Sequence, residues 1–181
     1  MPVQQQFTRI KLLACDVDGV LTDGTIIYGN GAVELKAFNI KDGLAMKLAG
    51  WNALPVVWIT GRCSEAVARR AAELDVHVQQ GAGDKDAGLR AVADIHGLSL
   101  DEIAYVGDDL NDLPALRIAG LPVAVADAVP EVIATAAYVT TAPGGHGAIR
   151  EVITAILKAQ GRWDEAVEVY LARMREAAVG Q

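Results

Sequence analysis

Residues that build cross-linked or metal-clamped folds are scarce in this chain. Cysteine occurs twice, at Cys15 and Cys63, and histidine three times, at His77, His96 and His146. Two thiols, one of them inside an apolar run, exclude a disulfide framework or a zinc cluster. The histidines lack ligand spacing such as His-x-x-x-His and receive no metal role. Long apolar runs are also missing: none approaches the roughly 20 residues that span a bilayer, and residues 1–9 carry no apolar signal core. The expectation is a cytoplasmic protein without membrane insertion. Basic charge is in deficit, with 16 Lys and Arg against 23 Asp and Glu and a net charge of −7. Such a balance argues against a general nucleic-acid surface, so any anionic small molecule must be met by a local pocket.

Apolar residues make up 52% of the 181 positions, enough for one domain over 1–181 to bury a full core. Ile10 to Cys15 reads as a buried strand, and Thr25 to Phe38 as a β-hairpin around Gly29-Asn30-Gly31. Asp42 is expected to cap a helix to about Ala49, followed by a strand over Leu54 to Thr60. Ser64 caps a helix whose stripe is Val67, Ala71 and Leu74, and a short strand covers Val76 to Gln79. Asp84 opens a helix that Gly97 closes, and Ser99 to Glu102 fits a capping box ahead of a strand at Ile103 to Val106. A helix over Leu110 to Ala119 and strands near Pro122 to Val125 and Tyr138 to Thr140 complete the alternation. Strands separated by helices predict βαβ crossovers and a doubly wound α/β fold with a parallel sheet. A helical tail at about 147–178 carries two stripes, Ile149, Ile153 and Ile156, then Trp163, Val167, Tyr170 and Met174. Packing onto the chain's own core is the simpler reading of both, with subunit contact as the other.

Ligands of open α/β sheets bind beyond the carboxyl ends of the strands, and the polar residues of this sequence collect there. The first strand ends in Asp16-Val17-Asp18-Gly19, the second in Thr60-Gly61-Arg62, and the fourth in Gly107-Asp108-Asp109, while Asp84-Lys85 follows the third. One acid among Asp108, Asp109 and Asp112 can cap a helix, but capping does not explain all three. A lysine in a first helical turn faces the positive end of the macrodipole, so Lys85 calls for an anionic partner. A calcium loop at Asp16 is disfavoured because Val20 stands where an oxygen ligand belongs. Carboxylates with one lysine and one hydroxyl suit Mg²⁺ and a phosphoryl group, and a carboxylate can itself attack phosphorus.

This ordered set resembles the haloacid dehalogenase superfamily, with Asp16-Val17-Asp18-Gly19-Val20, Thr60, Lys85 and Asp108-Asp109 as its four motifs. The resemblance implies that Asp16 is the nucleophile and Asp18 the general acid and base. It implies Thr60, Gly61 and Lys85 around the phosphoryl oxygens, and Mg²⁺ held through Asp16, the Asp18 carbonyl and Asp108, with Asp109 a ligand through water or an orienting residue. The second acid, Asp18, favours phosphatase over dehalogenase. The intervals from Asp18 to Thr60 and from Thr60 to Lys85 leave no room for a cap domain, so the open site either takes a large substrate or is closed by a neighbouring subunit, with the hairpin and the C-terminal segment as candidates.

Within the superfamily, Ile10 to Ala166 is similar to the 3-deoxy-D-manno-octulosonate 8-phosphate phosphatases. Leu21-Thr22-Asp23-Gly24, Glu34-Leu35-Lys36-Ala37-Phe38, Asp42-Gly43 and Gly144-Gly145-His146-Gly147 carry that similarity. It implies a Mg²⁺-dependent homotetramer of lipopolysaccharide synthesis, assembled through its hairpins, that acts on a phosphorylated sugar acid. Arg62 and Arg70 are its implied contacts to the sugar carboxylate, which arginine can pair in bidentate fashion. Related nonulosonate 9-phosphate phosphatases are expected to carry glutamate in place of Arg62 and lysine in place of Glu73, and this chain has neither. A non-catalytic oligomerisation module is the contrasting reading, but it should have lost Asp18, Lys85 or Asp108.

Overall fold

A computed structural model describes residues 3–179 except Ala32. Met1, Pro2 and Ala32, over which the N-terminal and hairpin expectations extend, lie outside the described residues. The chain runs through α1 (Val3–Arg9), β1 (Leu12–Cys15), hairpin strands β2 (Ile27–Tyr28) and β3 (Glu34–Leu35), and α2 (Ile40–Trp51). Next come β4 (Val56–Ile59), α3 (Glu65–Leu74), β5 (His77–Gln79), α4 (Lys85–His96) and β6 (Ile103–Gly107). The remainder is α5 (Leu113–Leu116), β7 (Leu121–Ala124), α6 (Pro130–Thr135), β8 (Tyr138–Val139), α7 (Ala148–Ala159) and α8 (Trp163–Val179). Among the described residues, no helix is long and apolar enough to cross a membrane.

Six strands form one parallel sheet in the order β5-β4-β1-β6-β7-β8. Helices α1, α2, α7 and α8 pack with one another, and α4, α5 and α6 form a second group. Covered by both, β1, β4 and β6 are buried at every residue, as continuous apolar runs require. Strand β1 is central, with Cys15 opposite Trp58 of β4 on one side and Val106 of β6 on the other. The chain first builds outward through β4 and β5, then returns to build through β6, β7 and β8. This reversal places a crevice between the carboxyl ends of β1 and β6, where Asp16 and Asp108 stand.

Several expectations change locally. Asn39, not Asp42, caps α2, its side chain accepting from the Lys41 amide at 2.8 Å. Asp42 lies inside the first turn and turns away: it accepts from Gly147 N at 3.2 Å and Arg150 N at 2.7 Å, capping α7 from a different part of the chain. Free amides at the start of α7 make a buried carboxylate useful there. The helix expected over Leu110 to Ala119 is a 3-10 turn at Leu110–Asp112 followed by the four residues of α5. Its break has a cause in Asp112, whose carboxylate folds back onto the Asp108 and Asp109 amides instead of facing solvent. Each hairpin strand has only two residues, and Ile27, Tyr28 and Leu35 are exposed. Of the tail stripes, Ile149, Ile153 and Ile156 are buried, whereas Met174 is exposed and Tyr170 stacks on Trp51 of α2.

Candidate active site

Strand β1 ends at Cys15, and the buried Asp16 follows at once. Its Oδ1 accepts from the Val17 amide at 2.6 Å, and its Oδ2 pairs with Lys85 Nζ at 2.6 Å. Lys85 opens α4 behind the Asp84 cap, and its side chain is 1% exposed, so the anionic partner expected for it is found inside the protein. A second partner is Asp112, whose Oδ1 takes Lys85 Nζ at 2.5 Å and the Tyr105 hydroxyl at 2.7 Å. Asp112 Oδ2 accepts the Asp108 and Asp109 amides at 2.9 and 3.3 Å. All four contacts hold a fully buried carboxylate that the sequence reading leaves without a role. Its signal was the spacing Asp108-x-x-x-Asp112, which puts the second acid one turn behind the first.

Burial and like charge set the electrostatics. Desolvation first, then repulsion from Asp112, raises the Asp16 pKa from 3.8 to about 6 against the pull of Lys85. Desolvation, with Asp112 and Asp16 close by, raises that of Asp108 to about 8. Burial depresses an ammonium, but the two carboxylates outweigh it and the Lys85 pKa is raised. Carboxylate oxygens of Asp16, Asp108 and Asp112 lie within 4.8 Å of one another. Because Asp112 is committed to four donors, Asp16 and Asp108 remain to face a cation, and Asp108 Oδ1 is a buried acceptor without a partner. An all-oxygen set with an orphaned carboxylate oxygen fits a hard divalent ion. Gly19, whose φ is +87°, leaves the room that the Asp108 carboxylate fills, since a Cβ there would collide with it.

Asp18 faces different partners. Lys36 Nζ, fully buried, donates to Asp18 Oδ1 and lies 3.2 Å from Glu34 Oε1. Glu34 Oε2 accepts from Arg62 Nη2 at 2.6 Å, and Arg62 Nε lies 3.9 Å from Asp18 Oδ2. The hairpin arm thus closes a ring of alternating charge with the turn that carries Asp18, and Phe38 stacks on Trp58 at 6.2 Å to seat the end of the arm. Thr60 is buried at the end of β4, its Oγ1 accepting from the Arg62 amide at 3.3 Å.

Asp16, Asp18, Thr60, Gly61, Arg62, Asp108 and Asp109 line one open pocket of about 250 Å³, with Lys85 beneath through its bond to Asp16. One predicted contact, Arg70, stands elsewhere. Arg70 is outside the pocket lining, paired with Glu73 at 3.1 Å and wedged against Gly43 and Leu74. Asp109 is exposed and caps the 3-10 turn through Leu110 N at 2.7 Å, so the carboxylate cluster contains Asp112 in its stead.

Residues 63–153 match the model of the haloacid dehalogenase-like hydrolases. The 3-deoxy-D-manno-octulosonate 8-phosphate phosphatase KdsC of Escherichia coli strain B is 45% identical over 165 residues, 91% of this chain and 88% of that protein. The phosphatase of the same name from Yersinia pestis is 42% identical over the same shares. Among solved structures, the Moraxella catarrhalis 3-deoxy-D-manno-octulosonate 8-phosphate phosphatase, in complex with magnesium, phosphate and KDO, superposes with a TM-score of 0.89 at 42% identity, covering 93% of this chain and 97% of that one. A cobalt-bound Haemophilus influenzae relative gives 0.84 at 37% identity, covering 88% and 94%. This chain belongs to the haloacid dehalogenase-like hydrolases and, within them, to the family of the 3-deoxy-D-manno-octulosonate 8-phosphate phosphatases.

Proposed function

We propose that the protein is a Mg²⁺-dependent phosphomonoesterase that hydrolyses 3-deoxy-D-manno-octulosonate 8-phosphate to the free sugar acid and phosphate, in lipopolysaccharide synthesis. The observation that carries this is the pocket that joins Asp16, Asp18, Thr60 and Asp108, with Lys85 bonded to its floor. Family membership through relatives of that activity supports the choice of substrate. Asp16 attacks phosphorus as the bond to the sugar oxygen breaks, and Asp18 gives the leaving alkoxide its proton. The resulting aspartyl-phosphate is hydrolysed by water, whose proton returns to Asp18 as inorganic phosphate is released. Lys85 and the Thr60 hydroxyl steady the phosphoryl oxygens, and Lys85 keeps Asp16 aimed into the pocket. Asp16 and Asp108, with the Asp18 carbonyl, would hold Mg²⁺, which would supply neutralising charge for the phosphoryl group.

Arg62, half-exposed at the entrance, is the contact assigned to the sugar carboxylate, with Arg70 of α3 as the second. We further infer a single capless unit working as a cytoplasmic homotetramer. Supporting assembly are the exposed Ile27, Tyr28, Val33 and Leu35 of a hairpin too short to be stable by itself. The test is phosphate release from octulosonate 8-phosphate, nonulosonate 9-phosphate and hexose phosphates, with Mg²⁺ and with EDTA. Fast, EDTA-sensitive turnover of the first alone is expected; comparable slow turnover of all three refutes the substrate.

A further inference from the structure

Asp18 has two unlike oxygens. Oδ1 is anchored by the buried Lys36 ammonium, while Oδ2 is buried, makes no hydrogen bond and belongs to the side chain that lines the pocket. One oxygen held by a hydrogen bond and one that makes none, with Arg62 Nε 3.9 Å away, is the arrangement a proton-transferring carboxylate needs, since rotation about its side chain would otherwise carry the second oxygen off line. Lys36 is itself fixed: its side chain is 0% exposed and lies between Asp18 and Glu34, and Glu34 is held on its far side by Arg62. Resting on the phosphatase reading above, we propose that Lys36 is a positioning residue for Asp18, aligned by Glu34, through which the hairpin arm sets the geometry of proton delivery to the leaving group. Lys36 touches neither phosphate nor metal in this role. It acts by holding Asp18 Oδ1 still.

Leaving-group dependence separates this role from general support. An alkyl phosphate needs Asp18 to protonate its departing oxygen; an aryl phosphate with an acidic phenol departs with little help. Lys36→Met, Lys36→Arg and Glu34→Gln should be assayed for kcat/KM on octulosonate 8-phosphate, a hexose 6-phosphate and p-nitrophenyl phosphate at saturating Mg²⁺. For Lys36→Met, both alkyl phosphates should lose about tenfold or more and the aryl phosphate less than about threefold. Lys36→Arg should recover most of the alkyl activity. Glu34→Gln, a partly exposed site with no change of shape, should repeat the asymmetry at smaller size. Equal losses on all three substrates, or no loss, overturn the proposal. A loss confined to octulosonate 8-phosphate also overturns it, because Lys36 then serves the sugar acid and not Asp18. Wild-type protein inactive on all three refutes the phosphatase reading itself, whereas active wild type with equal losses refutes only the role of Lys36.

Discussion

Two charge networks meet at Asp16 and Asp18, and they are built in opposite ways. Around Asp16, Lys85 and Asp112 are 1% and 0% exposed; Asp16 follows the buried β1, Asp112 ends the turn after the buried β6, and Lys85 opens α4. Around Asp18, Lys36 is buried, but Arg62 is 44% exposed and the arm that brings Lys36 and Glu34 has strands of two residues. Low dielectric makes the first network strong and intolerant of a missing partner; solvent and short strands leave the second adjustable. On the proposed mechanism, the nucleophile belongs to the fully buried network, and the acid with its sugar-facing Arg62 to the network that reaches solvent.

Removing Asp16, the proposed nucleophile, is the sharpest break. Asp16→Asn should reduce turnover by about 10³-fold or more while circular dichroism and the unfolding transition stay those of a folded protein. Asp112→Ala should strike the same network through stability: leaving Lys85 short of one carboxylate and two amides without an acceptor should cost about 3–5 kcal/mol in urea denaturation. On the adjustable side, Arg62→Ala should weaken turnover of the sugar-acid phosphate by about tenfold, with aryl phosphate turnover nearly unchanged. Arg70→Ala, outside the pocket, should do less, and an equal effect of both would place Arg70 in the substrate's path.

The smallest effect is on pH. Asp16 and Asp108 have folded pKa values above their ordinary 3.8, so their ionisation weakens the fold. Their contribution is fully favourable below about pH 4 and is lost as pH rises through about 6 for Asp16 and about 8 for Asp108. Glu34, Glu73 and Glu102 shift downward and are already ionised above pH 5, so they do not oppose this trend. Between pH 5 and 8 the metal-free protein should melt at falling temperature, and Mg²⁺ at pH 8 should restore the loss. A flat profile would mean that the two networks do not differ in their need for a cation.

Much of the site was legible because it is written in local signals. Asp16 and Asp18 follow an apolar strand, Thr60-Gly61 ends another, and Lys85 stands one residue past a helix cap; each needs only a few neighbours to be read. Asp112 and Asp42 were not legible as partners. Both look like ordinary helix-start acids, and their carboxylates are claimed by groups elsewhere: Asp42 by an amide 108 residues away, Asp112 by a lysine 27 residues away. Lys36 read as one residue in a hairpin motif, and nothing in its neighbours marked it as the anchor of an acid 18 positions earlier.

Periodicity, caps and turn residues determined the alternating α/β pattern and brought Asp16, Thr60 and Asp108 to the carboxyl ends of adjacent strands, with Lys85 at the start of α4. Those signals act over a few residues, so a sequence carries them whole. Tertiary structure decided which acid is tied down and which is left free. A charge inside a protein settles on whichever partner the sheet order and the hairpin's fold bring within 3 Å, and burial makes that choice costly to undo.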